Sequence, residues 1–217
     1  MSKSCVACQT SLPCIIKKHT AMRYKILNQK GLNFLTFTIV DWIDLFTRKE
    51  LAQILIESLK FCQENKGLVL NAFVIMPSHV HLIARAKDEE RLSDIIQSFK
   101  SYTATQIIIY LNDHKNPESR RDWILNRFQF NARKNKTNSE HQVWQKDNHP
   151  IILYSPHVIR QKLNYIHQNP VEAGYVAEAE HYILSSASNY ASGKGILDVD
   201  VMDDLWNDIG YIPTFGV

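Results

Sequence analysis

Leu68-Val69-Leu70-Asn71-Ala72-Phe73-Val74-Ile75-Met76-Pro77-Ser78-His79-Val80-His81-Leu82-Ile83-Ala84 decides the fold. Two apolar runs, 68–76 and 79–85, read as strands, and Pro77-Ser78 between them leaves room only for a tight antiparallel return. Successive strand side chains alternate faces, so His79 and His81 point one way while Val80, Leu82 and Ala84 point the other. Two imidazoles on one face of a strand form half of a metal site, since a divalent cation needs further donors. Taken alone, such a pair is more often two solvent-facing histidines. What the rest of the chain supplies settles the matter.

Upstream, residues 33–43 are rich in β-branched and aromatic types and predict a first strand. Thr47-Arg48-Lys49-Glu50 has the form of a capping box, and Leu51, Ile54, Leu55, Leu59 and Cys62 continue at helical spacing until Gly67. Downstream, a second helix is predicted from about Glu89, with Leu92, Ile95, Ile96, Phe99, Ile107 and Leu111 as its buried stripe. Val143-Trp144 and Ile151-Ile152-Leu153 predict one or two further strands. The order strand–helix–strand–strand–helix–strand is that of a ferredoxin-like α+β fold, an antiparallel sheet with helices packed on one face.

Ser155-Pro156 marks a last helix, serine as N-cap and proline in the first turn. Pro170 predicts its end near Gln168. Ile159, Leu163 and Ile166 form its core stripe, and Tyr165 and Asn169 share a neighbouring face four residues apart. A tyrosine beside a metal site can act as a nucleophile, and the Asn169 amide oxygen is of the type that could complete the ligand set. Two imidazoles and one amide oxygen suit Mg²⁺ or Mn²⁺.

Met76-Pro77-Ser78-His79-Val80-His81-Leu82-Ile83, followed far downstream by Leu163-Asn164-Tyr165-Ile166-His167-Gln168-Asn169-Pro170, resembles the single-tyrosine HUH transposases. The likeness is greatest to their REP-associated branch, in which a serine-rich segment similar to Ser185–Tyr190 commonly follows. It runs from about Met22 to Tyr190. The resemblance implies metal-dependent cleavage and joining of single-stranded DNA at imperfect hairpins. Carried over by motif, His79, His81 and Asn169 are metal ligands and Tyr165 is the nucleophile. Ser78 stands where Asn or Asp is common, and Asn169 where other branches have glutamine. The family includes both monomers and dimers, so the oligomeric state is open.

The remaining sequence divides around this core. Residues 113–141 read as an insertion mixing Arg120, Arg121, Arg127, Arg133 and Lys134 with Trp123, Phe128 and Phe130. Cations can follow phosphates while aromatics stack on unpaired bases. A solvated loop, or a small helix anchored by Trp123 and Phe128, is the plainer alternative. Lys87, Arg91 and Lys100 near the histidine strand are phosphate-contact candidates of the same kind. Tyr102 is a rival nucleophile without an amide ligand beside it. His149 and His167 read as structural or DNA-contacting.

The net charge is +3, but residues 198–217 hold five aspartates and no Lys or Arg, which leaves the body distinctly basic. A basic body points to a polyanionic partner. The expected organisation is an N-terminal extension over 1–21, a catalytic domain over 22–190 and an acidic tail over 191–217. Cys5, Cys8 and Cys14 fall in the extension, and Cys5-x-x-Cys8 has no second pair to make a zinc knuckle. No stretch has the length of a membrane span or signal peptide, so a cytoplasmic, nucleoid-associated protein is expected. Two rival readings are a hairpin-binding relative that has lost cleavage and a small-molecule metallohydrolase. The latter ordinarily requires a larger barrel.

Overall fold

The computed structural model describes residues 26–136 and 139–202. The N-terminal cysteines and Asp203, Asp204 and Asp208 lie outside them. The elements are β1 (Asn33–Thr38), α1 (Lys49–Asn65), β2 (Leu68–Ile75), β3 (His79–Ala86), α2 (Leu92–Asn112), α3 (Arg121–Lys134), β4 (Ile151–Ile152), α4 (Pro156–Glu172) and α5 (Ala187–Ser192). The strands form one antiparallel sheet in the order β2-β3-β1-β4. This is the ferredoxin-like α+β arrangement.

The sheet is apolar on both faces. On one, Leu35, Phe37, Phe73, Ile75, Val80 and Leu82 pack against Leu51, Leu55 and Leu59 of α1 and Ile96, Phe99 and Ile107 of α2. These are the two helices the sequence places on one face. The other face carries Phe34, Ala72, Val74 and Ile83, and α4 covers it with Ile159, Leu163 and Ile166. A β-bulge lies between Leu70 and Ala72. The extra residue, Asn71, flips the alternation, so Leu68, Leu70, Phe73 and Ile75 all reach the α1–α2 core.

Several local expectations are corrected. The capping box at Thr47 does not form: its hydroxyl donates to Asp44 O at 2.9 Å, and α1 starts after Arg48 without a side-chain cap. The first strand stops at Thr38, because the chain turns through a 3₁₀ segment at Val40–Trp42. Helix α4 runs past Gln168 to Glu172 with the buried Pro170 inside it. Pro170 lies in the last turn, where it forfeits one hydrogen bond to Ile166 O while its ring fills apolar space. Residues 113–141 are no bare loop: α3 occupies their centre and buries Ile124, Phe128 and Ala132. Trp123 stays exposed.

The outer edge of β2 is sealed by the chain's own return. Leu184 O accepts from Ile75 N–H, Ser186 N–H donates to Phe73 O, and Asp200 N–H donates to Leu70 O. Tyr182 and Tyr190 hydroxyls donate to Ile75 O and Asn71 O. The fully buried Ser186 hydroxyl accepts from Phe73 N–H at 2.9 Å and lies 3.2 Å from Phe73 O, to which it donates. His167 Nε2 is a further 2.9 Å partner of that hydroxyl, and with the hydroxyl proton committed to Phe73 O it acts as donor. Ser186→Ala strands two donors in a buried place. We expect unfolding free energy to fall by about 1–3 kcal/mol in a urea titration; an unchanged midpoint would show that the hydroxyl does not hold this edge. Among the described residues no helix is long and apolar enough to cross a membrane.

Candidate functional site

Register places the histidines. In the β1–β3 ladder Thr36 lies opposite His81 and Thr38 opposite His79, on the sheet face covered by α4. Thr36 Oγ1 is 2.9 Å from His81 Nδ1, and Ser78 Oγ is 3.3 Å from His79 Nδ1. The two imidazole centroids are 4.9 Å apart. His81 is 5% exposed and stacks on Phe34 at 5.2 Å. Its Nε2 is buried with no hydrogen-bond partner.

Helix α4 brings the tyrosine to this pair. Ser155 caps it by accepting from Val158 N–H, and the buried Ile159–Leu163–Ile166 stripe seats it on Phe34 and Ile83. Tyr165 flanks that stripe, with its ring 5.2 Å from His81 and 6.0 Å from Phe34. It is 41% exposed, open enough for a substrate to reach. Lys162, one turn earlier, sets its ammonium 4.9 Å from the Phe34 centroid and 5.5 Å from that of Tyr165. Asn169 lies one turn beyond Tyr165, half-buried, and takes no part in the ring contacts. Trp42 closes the other side, its ring 5.4 Å from His79.

Burial lowers the His79 pKa. For His81 burial is the largest cause, followed by the charges of His79 and Lys162, and its pKa falls to about 3. Both rings are therefore neutral at pH 7, the form in which imidazole nitrogen binds a cation. In the tautomer that donates Nδ1–H to Thr36, His81 Nε2 presents its lone pair to the site. An orphaned, buried, neutral nitrogen beside a second neutral imidazole fits a divalent cation. Among the described residues no group of three His, Cys, Asp or Glu side chains could hold a metal.

His167 packs half-buried against Ser186 and Tyr190, and desolvation there depresses its pKa to about 4. Folded-state values below the ordinary 6.5 mean that the unfolded chain binds more protons between pH 6.5 and 4. Stability is therefore full above pH 6.5 and lost on acidification through that window. At pH 5 the loss is about 2 kcal/mol each for His167 and His81. A Tm that drops from pH 7 to pH 5, with a smaller drop in His167→Gln, is the expected result. A flat Tm would remove the buried-neutral assignment.

The basic candidates separate by partner. Lys100 Nζ is turned inward, donating to Gln145 O at 2.9 Å and Asn148 Oδ1 at 2.6 Å, and burial lowers its pKa to about 8. It holds segment 145–148 beside β1, where Asn148 O accepts from Thr36 N–H. Arg120 pairs with Asp44 at 2.6 Å and with Glu118 at 3.3 Å. Arg121 donates to Asp113 O and Asn116 O. Arg127 pairs with Asp41 at 2.7 Å. Lys87, Arg91, Arg133 and Lys134 are exposed, as is the Trp123 ring. Tyr102 projects from the outer side of α2, into the groove lined by Phe61 and Cys62 of α1.

Three residues of the site were missed in the sequence. Lys162 carried a usable signal, its position three residues before Tyr165 on the same helix. Thr36 and Trp42 carried none, because only register and a turn bring them to the histidines.

Residues 43–132, which include both histidines, match the model of the IS200-like transposase family. The matched segment ends before α4, so Tyr165 and Asn169 lie outside it. A solved REP-associated tyrosine transposase bound to a REP hairpin aligns with 82% of this chain and 93% of its own, at 16% identity and TM-score 0.53. That likeness establishes the fold. A Deinococcus radiodurans R1 protein with a provisional transposase name aligns over 67% of this chain and 95% of its own, at 18% identity and TM-score 0.36. No curated protein matches the chain. Residues 43–132 are thus similar to the IS200-like transposase family, and the chain shares its fold with a solved REP-associated tyrosine transposase.

Proposed function

We propose that this chain cuts and rejoins single-stranded DNA at hairpin-forming repeats, with Tyr165 as nucleophile and His79, His81 and Asn169 as holders of Mg²⁺ or Mn²⁺. The observation that carries the reading is the orphaned His81 Nε2, buried 5.2 Å ring to ring from an accessible tyrosine. When bound, the cation supplies positive charge against the phosphate oxygens. Tyr165 gives up its phenolic proton to water and attacks phosphorus with that oxygen; the bond from phosphorus to the 3′-oxygen breaks, and the departing oxygen takes a proton from water to become a 3′-hydroxyl. The 5′-phosphate stays on the tyrosine. One phosphoester has replaced another, so an incoming 3′-hydroxyl can reverse the step and join a new strand. Lys162, beside the same ring, is placed to offset phosphate charge as phosphorus is attacked.

The proposed catalytic unit spans 22–190, between an N-terminal extension over 1–21 and an acidic tail over 191–217. The tail's first part packs on the domain, with Leu197 buried and Asp200 bonded to Leu70 and Arg85. The exposed Lys87, Arg91, Arg133, Lys134 and Trp123 are proposed phosphate and base contacts. Arg120, Arg121, Arg127 and Lys100 serve the fold that presents them. The hairpin in the solved relative is that protein's partner; its transfer to this chain belongs to the proposal.

The test is incubation with labelled single-stranded hairpins, with and without Mn²⁺, read on a denaturing gel. A metal-dependent covalent band is expected. Tight binding without a band across several hairpins would replace the reading with that of a binding protein that does not cut.

A further inference from the structure

Asp41 and Trp42 stand in succession at φ 56° each, the two central positions of a turn that Ile43 N–H closes onto Val40 O. Asn, Asp and Gly ordinarily occupy such left-handed positions, and the second usually belongs to Gly. Here it carries the largest side chain available. The turn is held from outside. The Asp41 carboxylate accepts from Arg127 Nε and Asn131 Nδ2, each at 2.8 Å, and Arg127 Nη2 is 2.7 Å away. Both partners project from α3, so the basic insertion acts as a latch on this turn.

What the latch presents is an indole 61% exposed, nearly perpendicular to the His79 ring at 5.4 Å. A tryptophan in a strained turn that buries little of itself gains little from packing. It does offer a rigid aromatic face at the rim of the histidine pair. Every nucleobase has a π-face, and a protein aromatic beside a bound strand takes an unpaired base by stacking.

We infer that Trp42 is the stacking platform for an unpaired base of the nucleotide adjoining the phosphate at His79 and His81, and that Asp41, Arg127 and Asn131 position it. This rests on the single-strand cleavage reading. In it α3 aids DNA binding by fixing the turn, with Arg127 spent on Asp41.

The experiment walks a single abasic residue through the positions flanking the cut in a hairpin substrate, using wild type and Trp42→Gly. Glycine suits the left-handed turn and removes the indole. For wild type, one abasic position should weaken binding about ten-fold, the usual scale of one stacked base. Trp42→Gly should bind the intact substrate about ten-fold more weakly and lose nothing further at that position, with a Tm equal to or above that of wild type. Trp42→Asn, which the turn also accepts, should behave alike and guards against a folding defect. Identical abasic profiles in wild type and variants, with wild type still forming its covalent adduct, would overturn the platform and leave the cleavage reading standing. A wild type that neither binds nor cuts any single strand would overturn both.

Discussion

Tyr165→Phe will form no covalent protein–DNA band, a loss on the order of 10³-fold or more in single-turnover cutting, as for removal of a nucleophile elsewhere. The substitution removes one oxygen. The ring keeps its edge contacts to His81 and Phe34 and its place beside Lys162, so α4 should seat as before. Hairpin affinity should therefore stay within about two-fold of wild type, since binding rests on phosphate and base contacts elsewhere. That split is what distinguishes a nucleophile from an amphipathic tyrosine covering a rim. A variant that still yields the band would exclude Tyr165, and Tyr102 would have to be considered again.

His81→Ala should weaken Mn²⁺ binding by more than about 100-fold in calorimetry and abolish cutting. This exceeds the roughly 10–100-fold typical when only a supporting partner is lost. Thr36→Val provides the contrast within this site: it leaves both imidazoles but frees the His81 ring from its 2.9 Å partner, so its effect should fall in the smaller range. Because His81 is buried and stacked on Phe34, the alanine variant will also be less stable, and its unfolding curve must be measured alongside. Unchanged Mn²⁺ affinity in both His79→Ala and His81→Ala would sink the metal assignment whatever the activity.

Much of the sheet was legible because its signals are local. The return at Pro77-Ser78 and the alternation through His79–Ala84 need only near neighbours, as do the α2 stripe and the Ser155-Pro156 start of α4. What could not be read is set by distant pairing. The bulge at Asn71 is invisible in an apolar run, yet it decides which residues of β2 face which side of the sheet. The side of the sheet that α4 covers is set by its packing on Phe34 and Ile83, and is not given by the helix's own period.

The arginines make the same point for the site. Arg127 meets Asp41 across 86 residues and Arg120 meets Asp44 across 76, so two arginines of a segment that reads as free positive charge are committed to carboxylates. Local propensity also lost at Thr47, because α1 takes Arg48 as its N-cap and leaves the Thr47 hydroxyl, which donates to Asp44 O, one residue too early to cap it. The two histidines and the tyrosine were singled out because their paired motifs resemble those of a known family, and the fold brings them together; their neighbours Thr36 and Trp42 depend on the folded chain.

The sealed flank of β2 bears on how copies of this chain can meet. Leu70, Asn71, Phe73 and Ile75 already spend outward backbone groups on Leu184, Ser186, Asp200 and the two tyrosine hydroxyls. At the opposite flank β4 is only two residues long. A continuous intermolecular sheet built through β2 would thus have to peel off the chain's own C-terminal wrapping, strand by strand, before any new ladder could form.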